Sequence, residues 1–261
     1  GGGKRTEDAL RQSLIESKEV KMTKRVGAGA FGEVFQGSAL GHPVAVKVMR
    51  HITEEGVKQF REEILLTSQH RHPNIVAFVG ACWGQDLMCL LLEWVPRGSL
   101  ARLLDDQLQT LRWDDPLLKL AMDVARGMAY LHGREYFDEQ SIEYKRCVLH
   151  RGLKPDNALV TDYMSLKLTD FGTARAKETD EHALMTFVGT PVFCAPEVSR
   201  GDAYDEKAGW CYVVGREVVQ RCLLLDSFSS CCCQLRSLLL LSCYFLDVYS
   251  FGMTLIDMAS D

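Results

Sequence analysis

The chain has no excess of positive charge. Its 30 lysines and arginines are outnumbered by 35 aspartates and glutamates, for a net charge of -5 and a pI near 5.8. A nucleic acid partner is thereby excluded as the main ligand, because a phosphate backbone wants a basic face. No apolar run approaches the roughly 20 residues that a bilayer-spanning helix needs, so no membrane span is expected. Gly1 to Leu10 is polar and charged and has no apolar signal core, and the first residue is not methionine. This excludes a secretory leader within the segment; it also suggests a cytoplasmic protein whose two ends are cut from something longer. Paired C-x-x-C motifs are absent, and with them a standard zinc site. Six of the ten cysteines fall between Gly209 and Leu246, and a reducing compartment is the simpler reading of all ten. No internal repeat is apparent.

What is present is ordinary soluble material, 47% apolar and 25% charged over 261 residues, enough for one domain of two lobes. Val26 to Met49 alternates around two turn signals, Gly27 to Gly32 and Gly37 to Pro43, which predicts three antiparallel strands. Glu54 to Gln69 sets Val57, Phe60, Ile64 and Leu65 on one helical face, and His72-Pro73 stops it. Ile75 to Gly80 and Leu87 to Trp94 read as two more strands. From Ser99 the texture becomes helical: Leu100 to Leu104 is short, and Leu117 to His132 carries Leu117, Leu120, Ala121, Val124, Met128 and Leu131 at helical spacing. The charged stretch Arg134 to Gln140 reads as a solvated loop.

Gly27-Ala28-Gly29-Ala30-Phe31-Gly32-Glu33-Val34 fits G-x-G-x-x-G-x-V, whose glycines let a strand-turn-strand backbone close over phosphates. Alone it is as readily a plain turn; a dinucleotide site would need a helix directly after it, and Phe35-Gln36 continue a strand instead. Val44-Ala45-Val46-Lys47 puts a lysine on a strand otherwise buried, where it needs a carboxylate or a phosphate. Glu63 is the expected partner, with Glu62 beside it as the alternative. His150-Arg151-Gly152-Leu153-Lys154-Pro155-Asp156-Asn157 is followed by Asp170-Phe171-Gly172 and Ala195-Pro196-Glu197. Asn157 and Asp170 offer the oxygen ligands that magnesium takes.

In this order the motifs resemble the protein kinase family, from Val26 to Asp261 apart from one block. Lys154, two residues after the base position, resembles serine/threonine kinases. His70 to Val76, Glu93 to Leu100 and Asp247 to Gly252 are similar to the tyrosine kinase-like group, the relatives of Raf and mixed-lineage kinases. The resemblance implies an α+β bilobal fold: residues 1–20 as a flank, a small antiparallel-sheet lobe over 21–95, and a mainly helical, truncated lobe over 96–261. It implies ATP and Mg as cofactors and a protein substrate or partner kinase. Nucleotide would be bound by Gly27, Ala28, Gly29, Gly32, Val34, Ala45, Lys47, Asn157, Leu159 and Asp170, with Leu92 as gatekeeper and Glu93 to Val95 as the adenine-binding hinge. Asn157 and Asp170 would hold the metal, and Lys47, Glu63 and Lys154 would serve transfer.

Four departures stand out. Gly152 occupies the position where the family has the aspartate that accepts the substrate proton, so transfer is expected to be impaired rather than abolished, or the chain to act as a nucleotide-binding pseudokinase. Thr67 stands where the family has a large apolar residue, one helical turn after Glu63. Gly209 to Leu246 interrupts a segment that would otherwise read continuously; its 38 residues, rich in cysteine and leucine, suggest a translated intron. The chain stops before the arginine that would pair with Glu197. On the expected activation segment, Thr179 and Thr186 are the better phosphosite candidates, beside Thr173 and Thr190.

Overall fold

The computed structural model describes residues 13–29, 32–49, 54–84, 87–106, 111–112, 115–138, 143–146, 148–150, 152–170 and 175–176. The chain divides into two compact units, residues 1–96 with 137–143, and residues 97–136 with 144–261.

The first unit is a five-stranded antiparallel sheet with one helix. Strands β1 (Val20–Gly29), β2 (Gly32–Ala39) and β3 (His42–Met49) form a meander; helix α1 (Glu54–Ser68) follows, then β4 (Phe78–Trp83) and β5 (Met88–Glu93). The strand order is β1-β2-β3-β5-β4. The β2–β3 turn is two residues, Leu40 and Gly41, both with positive φ (51° and 82°), the backbone twist that matches a tight hairpin. β5 lies between two strands and is buried along Met88 to Leu92, which is why it reads as a continuous apolar run rather than an alternation. Val44 and Val46 point to one face and join Ala39, Cys82, Cys89 and Leu91 in a core cluster, while Ala45 and Lys47 point to the other. On that other face, Phe60 of α1 lies against Trp83 of β4, ring centroids 6.0 Å apart.

β1 begins six residues earlier than the alternation predicts, because Lys21 to Arg25 is an exposed edge segment with no apolar periodicity to read. β4 is shifted toward Trp83. Ile75 donates its N–H to the His72 carbonyl oxygen at 3.0 Å, so its backbone belongs to a turn and is not free for a strand.

In the second unit, helix α2 (Leu100–Leu104) is capped by Ser99, whose hydroxyl accepts from the Arg102 N–H at 3.3 Å. Helix α3 (Leu117–His132) buries all six residues of its predicted apolar face. Strands β6 (Glu135–Asp138) and β7 (Glu143–Arg146), whose residues are divided between the two units, pair as a hairpin. The expectation of a solvated loop over Arg134 to Gln140 is therefore corrected: Tyr136, Phe137 and Tyr144 favour extended backbone, and charge alone does not make a loop. After β8 (Val148–Leu149) come β9 (Ala158–Val160) and β10 (Leu166–Leu168), an antiparallel pair packed on α3, and β11 (Arg175–Ala176), paired with β8.

Candidate active site

In the first unit, the glycine-rich segment is the end of the β1–β2 hairpin, with Gly27 opposite Val34, Ala28 opposite Glu33 and Gly29 opposite Gly32. Two of its glycines differ in what constrains them. A Cβ at Gly32 would overlap the Val48 carbonyl oxygen, so packing against β3 already demands glycine there. Among the described residues, a Cβ at Gly27 would come no nearer than 3.9 Å to another side chain, that of Val34, and packing against them does not demand glycine there.

Lys47 Nζ donates to Glu63 Oε1 at 2.7 Å. The side chains keep only 13% and 5% of their exposure, so the pair is well shielded from water. Neighbouring Glu62 is exposed, which resolves the choice the sequence left open. One turn on, buried Thr67 donates its hydroxyl to the Glu63 carbonyl oxygen at 2.6 Å. The helix backbone thus satisfies a polar group that would otherwise be stranded where an apolar side chain was expected. Across the sheet, Leu92 stands in register with Ala45, and Lys47 with Leu90. The Glu93 N–H donates to the Ala77 carbonyl oxygen at 2.9 Å, and Val95 is buried.

In the second unit, the loop that holds Gly152 is fastened at three points. The Gly152 N–H donates to His150 Nδ1 at 3.2 Å, and Asn157 Nδ2 donates to the Gly152 carbonyl oxygen at 2.6 Å. His150 Nε2 lies 3.0 Å from the Thr169 carbonyl oxygen. Because Nδ1 accepts, Nε2 must carry the proton and donate, so fully buried His150 is the neutral tautomer. The Thr169 N–H donates to the Asn157 carbonyl oxygen at 2.9 Å, which anchors the residue before Asp170 to the same loop. Asp170 has φ 68°, a left-handed conformation that a short polar side chain tolerates better than most. With the Asn157 amide N–H2 turned toward Gly152, its Oδ1 is left as an acceptor. An oxygen donor from Asn157 and a carboxylate from Asp170 are hard ligands, a chemistry that fits Mg2+ completed by phosphate and water. Among the described residues, no group of three or more histidine, cysteine, aspartate or glutamate side chains gathers as a metal centre.

Sequence reasoning missed the supports of this loop. Asp123 of α3 accepts from the Leu166 N–H through Oδ2 and from Arg126 Nη1 through Oδ1, both at 3.0 Å, and so ties α3 to β10. The backbone of Arg97 and Gly98 bonds to both sides of Val160, at 3.3 and 2.8 Å, and a backbone bridge joins Ser99 to Leu159. A buried aspartate in an apolar helix face was the one signal that pointed there. Phe171, Gly172, Thr173, Thr179, Thr186, Thr190, the Ala195-Pro196-Glu197 motif and the block from Gly209 to Leu246 lie outside the described residues.

Residues 20–218 match the protein kinase domain family. The probable serine/threonine-protein kinase drkA of Dictyostelium discoideum is 38% identical over 196 residues, covering 74% of this chain and 28% of that protein. The serine/threonine-protein kinase STY17 of Arabidopsis thaliana is 32% identical over 196 residues, with 74% and 32% covered. A putative serine/threonine-protein kinase/receptor of Acanthamoeba polyphaga mimivirus, R826, is 35% identical over 196 residues, with 74% and 11% covered. The chain therefore spans a third or less of the length of these relatives. With the family matched over most of its length, and with the Lys47–Glu63 pair and the His150–Asn157 loop folded as described, the chain belongs to the protein kinase family.

Proposed function

We propose that the chain binds ATP with Mg2+ and transfers the terminal phosphoryl group to serine or threonine hydroxyls at a rate held down by Gly152. The substrate oxygen attacks the γ-phosphorus, the bond to the bridging β,γ-oxygen breaks, ADP leaves, and the hydroxyl proton goes to solvent because Gly152 has no carboxylate to take it. Lys47, held by Glu63, supplies positive charge to the α- and β-phosphates. Gly27, Ala28, Gly29, Gly32 and Val34 cover the phosphates; Ala45, Leu92, Glu93, Val95 and Leu159 line the base. Asn157 and Asp170 hold the metal, and Lys154 faces the transferring group.

The observation that carries this reading is the fastening of Gly152 on both sides, by His150 and Asn157, at 3.2 and 2.6 Å. The loop keeps a hydrogen-bonded frame although the side chain is gone. Phosphoryl transfer draws mostly on positioning and charge stabilisation, and a general base adds about 100-fold to 10,000-fold. The same glycine favours a second reading, a pseudokinase that takes up nucleotide and acts as a conformational partner of an active kinase. Magnesium-dependent ATP binding and transfer to a generic serine/threonine substrate, with and without Gly152→Asp, separates them. Slow turnover by the glycine form supports the enzyme, binding with turnover only in the aspartate form supports the partner, and no binding by either form sinks both.

A further inference from the structure

The segment just before β1 is part of the sheet. The Ile15 N–H donates to the Ala81 carbonyl oxygen at 2.9 Å, and the Ala81 N–H donates to the Ser13 carbonyl oxygen at 3.1 Å, with Leu14 bridged in parallel to Ala81. β4 is an edge strand, and this short strap satisfies both backbone groups of Ala81 there. Gly80 makes the seat: a Cβ on it would come 2.6 Å from Ile15 Cδ1 and 2.9 Å from the Ser13 carbonyl oxygen, so any side chain pushes the strap away. Ile15 and Val20 both pack on the core cluster of Val44, Val46, Cys82, Cys89 and Leu91. Only five residue steps join Ile15, at the β4 edge, to Val20, the start of the opposite edge strand. That is a reach of about 17 Å, against about 24 Å for the five strand spacings from the strap to β1 in a flat sheet. The strap therefore holds the sheet curled as it crosses that face.

The other face of β4 carries α1. Trp83, two residues beyond Ala81, receives the Phe60 ring, and Glu63 lies one helical turn after Phe60 with its carboxylate on Lys47. We infer that Ser13–Ile15 is a positioning strap for the Lys47–Glu63 pair. Occupied, it keeps β4 in the ladder and α1 seated. Withdrawn, it leaves Ala81 N–H and C=O to water, loosens the Trp83 platform and lets Glu63 leave Lys47. This rests on the nucleotide-binding reading of that pair, and the test keeps the two apart.

Two variants of the full chain remove the strap from opposite sides: deletion of residues 1–16, and Gly80→Val. Amide hydrogen exchange without nucleotide is the first readout. Exchange is expected to quicken at Ala81 and along α1 and to stay unchanged in α3. An α1 that exchanges as before, or an α3 that quickens equally, overturns the inference. Magnesium–ATP affinity is the second readout, and it is expected to fall about tenfold on strap removal, within the usual range of coupling between sites. In a Glu63→Gln background, strap removal should cost little further affinity; an equal loss in both backgrounds means that the strap does not act through the pair and overturns the inference. A parent chain that binds no magnesium–ATP sinks the functional reading, and the exchange of α1 then decides the strap by itself.

Discussion

The side-chain amide of Asn157 donates to the carbonyl oxygen of Gly152 at 2.6 Å, so one residue braces this loop with its N–H and keeps its Oδ1 as an acceptor, the atom proposed above to hold the metal. These two jobs use different atoms of the same amide, and substitution can part them.

Asn157→Asp keeps an oxygen donor and loses the N–H that holds Gly152, whereas Asn157→Ala loses both. Asn157→Ala should weaken magnesium–ATP binding by at least about tenfold, the scale of a lost partner at a metal site. Asn157→Asp should retain most of that affinity and lose about 1 kcal/mol of stability with its hydrogen bond. Magnesium titrations at fixed nucleotide, with thermal melts of the same samples, check both halves; equal magnesium affinity in parent and alanine variant removes Asn157 from the metal site.

The Lys47–Glu63 pair should matter for function more than for folding. Glu63→Gln takes the carboxylate away from a largely buried ammonium, and removal of one partner from such a pair costs about 3 kcal/mol or more. Lys47→Met combined with Glu63→Leu removes both charges and should recover most of that stability while binding no nucleotide. Denaturant melts and nucleotide titrations of the three proteins test this. A double variant as unstable as Glu63→Gln shows that packing, not charge, sets the cost.

Asp123 is expected to be the more consequential member of its ion pair. Asp123→Ala strands the buried Leu166 N–H and should cost about 1–3 kcal/mol. Arg126 is 45% exposed, and Arg126→Ala should cost less than about 1 kcal/mol. Chemical denaturation of the two variants decides the order, and the reverse order would mean that the α3–β10 tie depends on Arg126.

Cys82 and Cys89 face each other across β4 and β5, both buried. Burial pushes the Cys89 thiol up from its ordinary 9.0 to about 12, and Cys82 is raised as well, again by burial. Folding therefore favours the protonated thiol. Its contribution is complete below the unfolded value near 9.0 and declines as pH rises from there toward about 12. Stability should fall more steeply between pH 9 and 10 in the parent than in Cys89→Ala, as read from urea melts. Neither thiol should react with iodoacetamide at pH 8 until the protein unfolds; rapid labelling of Cys89 in the folded chain contradicts the burial.

Much of this protein was written locally. Helix α3 was legible to its end residues because six apolar side chains repeat along it at helical spacing, all of them buried. The glycine-rich and His150–Asn157 motifs were legible because their residues lie close together in the chain, at the end of the β1–β2 hairpin and in one loop. Other features depended on partners far away in sequence. That Glu63 rather than Glu62 meets Lys47 follows from which side of α1 is buried, and that Thr67 is tolerated follows from the carbonyl it bonds. The placement of Ser13–Ile15 was not legible at all, since three residues with no periodicity bridge to the sheet only when β4 offers an edge and Gly80 leaves room. Residue order alone names the chemical groups this chain carries, and the aspartate it lacks at residue 152. Which of those groups are paired and held in place emerges with folding, because burial and long-range backbone hydrogen bonding are properties of neighbours that the linear order does not name.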